Sequence, residues 1–142
     1  MIKLPPNEKV IEAWTALADG RVKLNDGSAV VESSDGAKTY TVRFRDDLYS
    51  SDDNATYWRG YAGYPVIAVL MLQNRLPFDR EEAMKWEGVN WKEVNTRFKN
   101  RYPEAVKSVA EERGIDLKTT YDDVDKVMDR LESLPIEIKR KI

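Results

Sequence analysis

An α+β fold is predicted by two changes of period along this chain and by one apolar run: an N-terminal helix, a three-stranded antiparallel meander, then four to five packed helices. Apolar residues recur at helical spacing to residue 18, at strand spacing between 21 and 45, and at helical spacing again from 65 onward. The run 66–72 is apolar at every position. A helix of that kind has no face for water and must be surrounded by protein.

The first helix is expected over residues 7–19. Val10, Ile11, Trp14, Leu17 and Ala18 fall on one face, Pro5, Pro6 and Asn7 stand where a helix starts, and Gly20 stands where one ends. Strands are expected at 21–24, 28–33 and 38–45, separated by Asn25-Asp26-Gly27 and Ser34-Asp35-Gly36, both of which are turn chemistry. In the third strand Tyr40, Val42 and Phe44 alternate with Thr41, Arg43 and Arg45, which predicts one buried and one wet face. The N-terminal helix and the helix at 66–72 are the expected covers of the sheet.

Residues 46–64 are read as an acidic and aromatic loop, and Pro65 opens the helical part, residues 65–134. Asp79 with Glu82 and Asn90 with Glu93 have the pattern of a cap and its third-residue partner, and Gly88 divides the two helices. Pro103 opens a further helix that Gly114 closes, and Thr120, Asp122 and Asp123 are read as opening the last one. That helix presents Val124, Val127, Met128, Leu131 and Leu134 on one face. The tail, residues 135–142, has no assigned state. No repeat, low-complexity stretch or linker divides the chain, so residues 1–142 are expected to form one domain.

Composition narrows the chemistry. A chain of 142 residues buries roughly 68–70% of its unfolded surface, enough for a core without metals or disulfides. The charged residues, 23 basic against 25 acidic for a net charge of −2, exclude a wholly basic, polyanion-coating surface. Cysteine and histidine are both absent, which removes the thiol nucleophile, the Cys or His zinc site, the disulfide and the imidazole base. The start carries no apolar signal segment, and the run 66–72 is far shorter than the ~20 residues that span a bilayer. A cytoplasmic protein without membrane association is expected. Asn54-Ala55-Thr56 matches a glycosylation triplet but has no secretory context.

Three segments carry possible function. Tyr49, Tyr57, Trp58, Tyr61 and Tyr64, with Arg59 among them, offer large amphipathic rings suited to a protein or small-ligand partner. This predicts a non-catalytic binding module. The segment 64–101 has the proportions of a helix-turn-helix unit, with Lys92, Thr96, Lys99, Asn100 and Arg101 placed to meet phosphates and base edges. Against it stand Glu93 near the same face and the acidic whole. Asp46, Asp47, Asp52 and Asp53 would suit Mg²⁺ or Ca²⁺ in a metal-dependent enzyme, but their spacing matches no calcium loop. No cofactor is expected, since the Walker A, Rossmann, kinase, α/β-hydrolase and zincin signatures are missing.

Overall fold

The computed structural model describes residues 3–142, so Met1 and Ile2 of the amino-terminal stretch lie outside it. Helix α1, Lys9–Ala18, ends as its sequence requires: Gly20 takes a left-handed φ of 68° and the Arg21 amide donates back to the Ala16 carbonyl at 2.9 Å. The strands β1 (Val22–Leu24), β2 (Ser28–Glu32) and β3 (Thr39–Arg45) form the expected antiparallel meander.

The sheet is larger than three strands. β4, Leu48–Ser51, pairs antiparallel with β3, and β5, Glu137–Ile138, pairs parallel with β4, giving the order β1-β2-β3-β4-β5. The segment read as the start of an acidic loop is therefore a two-residue hairpin turn. Arg45 pairs with Leu48 across it, and Asp46 adopts the left-handed φ of 55° that aspartate tolerates better than most residues. The tail joins because β4 would otherwise expose its outer ladder, and the amides of Glu137 and Lys139 donate to the Asp47 and Tyr49 carbonyls at 2.9 and 2.8 Å.

Helix α2, Tyr64–Leu72, carries Pro65 in its first turn, and every residue from Pro65 to Met71 is buried. It packs on β1, β3 and β4 with one side and on α1 with the other. The sheet is thus covered chiefly by α2, while α1, expected to share that task, forms the next layer. The reason is α2 itself, whose second face is as apolar as its first.

The remaining helices are α3 (Arg80–Met84), α4 (Trp91–Arg97), α5 (Tyr102–Arg113) and α6 (Leu117–Ser133). Asp79 and Asn90 cap as expected, each side chain accepting from the amide three residues on, Glu82 at 3.2 Å and Glu93 at 3.1 Å. Helix α6 starts earlier than its acidic residues indicated. Asp116 is the cap, accepting from the Lys118 amide and the Thr119 hydroxyl, and Thr120 is a buried residue of the first turn that donates to Glu82 at 2.7 Å. One buried apolar cluster joins the sheet, α1, α2 and the later helices.

Helix α1 also carries a polar seam at Glu8, Glu12 and Thr15, all buried. Each finds a partner in the second half of the chain, as buried polar groups must. Glu8 accepts from the Tyr121 hydroxyl at 2.9 Å, Glu12 from the Asn95 amide at 3.4 Å, and Thr15 from the Trp91 indole at 2.9 Å.

The tail strand has a measurable share in stability. Ile136→Ala, at a buried position, is expected to cost about 2–4 kcal/mol in urea unfolding, whereas Ile142→Ala, at an exposed one, is expected to stay within about 0.5 kcal/mol.

Candidate binding groove

Two segments distant in sequence meet across one groove of about 990 Å³. One wall is the stretch between β4 and α2, with Trp58, Arg59, Tyr61 and Tyr64. The other is α4 with the turn after it, which contributes Lys92, Thr96, Lys99 and Asn100. The buried lining groups are Glu12, Ser33, Trp91 and Asn95.

The first wall is shaped by a carboxylate. Asp53 is buried and accepts from the Ser51 hydroxyl, the Thr56 amide and the Thr56 hydroxyl, while the Thr56 oxygen accepts from the Gly63 amide at 2.9 Å. This circuit ties the end of β4 to the start of α2. Between its ends the chain makes one π-helical turn, Ala55–Arg59, closed by Gly60 at a left-handed φ of 76°. Such turns are uncommon and cluster at functional sites. Here the turn holds Trp58 outward with 64% of its surface exposed.

The second wall is set by α1. The Trp91 indole donates to Thr15, whose hydroxyl in turn lies 2.9 Å from the Trp86 carbonyl. The Lys92 amide donates to the Ser34 hydroxyl at 3.0 Å, which fastens α4 to the turn between β2 and β3. Lys99 and Asn100 both sit in the left-handed region, with φ of 55° and 61°. Two such non-glycine residues in succession carry a conformational cost of order 1–3 kcal/mol each, the kind of strain found where a site fixes side-chain direction.

The groove is electrostatically one-sided. Lys9, Arg21, Arg59, Lys92 and Lys99 line it against a single carboxylate, Glu12. Lys9 is committed to Glu12 at 3.2 Å and lies over the Tyr102 ring at 4.4 Å, and Arg21 is paired with Asp19 at 3.3 Å. Burial works against the Lys9 charge, but Glu12 and Tyr102 outweigh it and hold its pKa above the ordinary value. Arg59, Lys92 and Lys99 make no ion pair among the described residues. Burial also raises the Tyr64 phenol well above its usual range, against the pull of nearby Arg21, and raises Tyr40 and Tyr61 in the same direction. These hydroxyls stay protonated and available as donors.

Not every residue read as part of a site belongs to this groove. Tyr49 is 1% exposed and sits in the core, its hydroxyl donating to Gln73 at 2.6 Å, because it points inward from β4 toward α2. Tyr57 packs edge-on against Trp58, ring centroids 4.8 Å apart, and lines a separate depression of about 390 Å³ with Arg140. Arg101 is exposed but outside the groove. The groove also includes Tyr40 and Arg21, which the sequence places only in strands, and Lys9, Asn95 and Tyr102, to which it assigns no role.

The four aspartates do not converge. Asp47 and Asp52 stand at opposite ends of β4, ~17 Å apart at 3.3–3.4 Å per residue, too far to share one ion with ligand bonds of about 2.3–2.6 Å. Asp47 is paired with Arg75 at 2.7 Å, Asp52 accepts from the Thr41 amide at 2.9 Å, and Asp53 is saturated by Ser51 and Thr56. The helix-turn-helix proportions also dissolve in three dimensions. Helices α2 and α3 each pack on α1, α3 is five residues long, and the polar face of α4 is the wall of a concavity. A helix that reads duplex DNA must instead project into a groove ≈ 12 Å wide.

The class this defines is an α+β module with an aromatic groove rimmed by cations. A model of the family described as uncharacterised conserved protein UCP014422 matches residues 2–137, so the chain belongs to that family. No curated protein and no solved structure matches it. No helix among the described residues is long and apolar enough to cross a membrane.

Gly63 is the point where the first wall is most sensitive. A Cβ there would collide with the Asp53 carboxylate and press on the Thr56 hydroxyl. Gly63→Ala is expected to lower stability by about 1–3 kcal/mol and to blue-shift or quench the exposed Trp58 emission, both read in one fluorescence-monitored urea titration. Unchanged stability would mean that the Asp53–Thr56 circuit does not hold the turn.

Proposed function

We propose that this chain is a non-catalytic binding module whose groove takes a small anionic ligand bearing a planar ring. The observation that carries the proposal is charge segregation: a chain of net charge −2 gathers five cations against one carboxylate around a single aromatic-walled groove. Low-dielectric walls focus such a field and raise the local concentration of an anion. The rings supply apolar contact and the neutral phenols supply hydrogen bonds that orient the ligand.

The groove's size supports a ligand rather than an ordered water cluster. Its volume of about 990 Å³ is at the upper end of ligand-pocket volumes, ≈ 300–1,000 Å³. Strain at Lys99 and Asn100 adds support, since both residues line the groove. Cytoplasmic residence is part of the proposal, and a chain without cysteine needs no oxidising compartment to fold.

Thermal unfolding tests it. Adenosine monophosphate and phenyl phosphate, added separately, are expected to raise the midpoint, while neutral adenosine and phenol are not. At a ligand concentration of 100 times Kd the gain is ≈ 2.7 kcal/mol, or roughly 5–10 °C for a chain of this length. The Lys92→Glu, Lys99→Glu double variant is expected to lose the shift. A midpoint indifferent to every anion, or a shift that survives the double reversal, would defeat the proposal.

A further inference from the structure

We infer that the ligand is a polymer, namely single-stranded nucleic acid, laid along the groove with bases against its rings and phosphates against its cations. This inference rests on the anionic, ring-bearing ligand proposed above and extends it in two ways, from one unit to several and from any ring to nucleobases.

The first extension comes from where the charges originate. A site for one phosphate gathers its donors at one point, as a helix N-terminus or a glycine-rich loop does. Here the cations come from α1, the strand approach at Arg21, the π-helical turn, α4 and the turn after α4. The rings are dispersed in the same way, with Tyr40 on β3, Trp58 on the π-helical turn, Tyr61 and Tyr64 at the entry to α2, and Tyr102 at the start of α5. Cations and aromatic rings dispersed along one concavity are the components with which proteins hold single strands.

The second extension comes from the rings and amides. An acidic peptide would be satisfied by the cations alone and has no use for an exposed indole. Trp58 keeps 64% of its surface in water although the core absorbs the other three tryptophans. Arg140 lies over the Trp58 ring at 5.3 Å and belongs to the smaller depression, not to the groove. Asn54 and Asn100 line the same groove, and each amide offers the paired donor and acceptor that base edges present. Duplex DNA fits less well, because its bases are stacked on one another and unavailable to Trp58.

The test is fluorescence anisotropy of 5′-labelled dT and U oligonucleotides of 3, 6 and 12 units, with a 12-base-pair duplex and adenosine monophosphate as competitors. Affinity is expected to rise with length and to fall with added salt. Three cations free of ion pairs, Arg59, Lys92 and Lys99, imply a log–log salt slope near −2, at about −0.7 per phosphate contact for single strands. The Lys92→Ala, Lys99→Ala double variant is expected to bring that slope to about −0.7. Trp58→Ala, a substitution at an exposed position, is expected to weaken binding about five- to 150-fold. Lys126→Glu, a change of charge on α6 away from the groove, is expected to leave affinity within about twofold. Circular dichroism checks that each variant is folded.

Every other result is decisive. If adenosine monophosphate competes as well as the 12-mer, or if length does not matter, the polymer inference falls while the groove proposal stands. Equal affinity for the duplex, insensitivity to Trp58→Ala, or tighter binding of a labelled glutamate octapeptide would overturn it too. No binding by any probe, adenosine monophosphate included, removes both.

Discussion

Helix α2 has no wet face before its last residue, the exposed Leu72, and the rest of the molecule is arranged to satisfy that fact. Its residues from Pro65 to Met71 are buried, and burying an aliphatic side chain yields roughly 1.5–3 kcal/mol. A nine-residue helix needs cover on both sides, so the sheet takes one and α1 the other. Because α1 is then interior as well, it can no longer keep its polar residues in water. Glu8, Glu12 and Thr15 must be bonded inside the protein, and their partners Tyr121, Asn95 and Trp91 come from helices α4 and α6. One apolar helix thereby dictates how the second half of the chain docks.

The groove is a by-product of that docking. Helix α4 is held to α1 through Trp91 and Thr15, and to the β2–β3 turn through the Lys92 amide and Ser34. The segment from Ala55 to Tyr64 is held to the end of β4 and the start of α2 through Asp53, Thr56 and Gly63. Neither clamp closes the space between them. What lines that space is therefore free to serve recognition, and it carries the exposed tryptophan and the unpaired cations. The strained pair Lys99 and Asn100 stands at one margin of it, consistent with side chains whose direction matters.

Regular elements were readable where one local rule sufficed. The all-apolar run at 66–72, the caps at Asp79 and Asn90, and the glycine stops at Gly20 and Gly114 needed no tertiary knowledge. β4 escaped because Tyr49-Ser50-Ser51 is polar for a strand buried by α2, and because its hairpin uses two aspartates without the glycine that usually marks such a turn. β5 is two residues long and exists only by pairing with β4. Of the site, the aromatic stretch and the α4 face were each visible as separate candidates, but nothing local said that they face one another. Tyr40 looked like a sheet residue, and no local pattern marked Tyr102. One signal did lie at α1: polar residues at 8, 12 and 15 follow helical spacing beside a largely apolar sequence, a mark of a buried seam with partners elsewhere.

The central claim is that residues 54–64 and 92–102 form one binding surface. Amide NMR spectra of the labelled protein, recorded while pyrophosphate and then dT12 are added at low ionic strength, address it directly. One surface gives shifts in both segments that saturate together with a single Kd, including the amides of Trp58 and Lys99. Shifts confined to one segment, or two segments titrating with different constants, would contradict it.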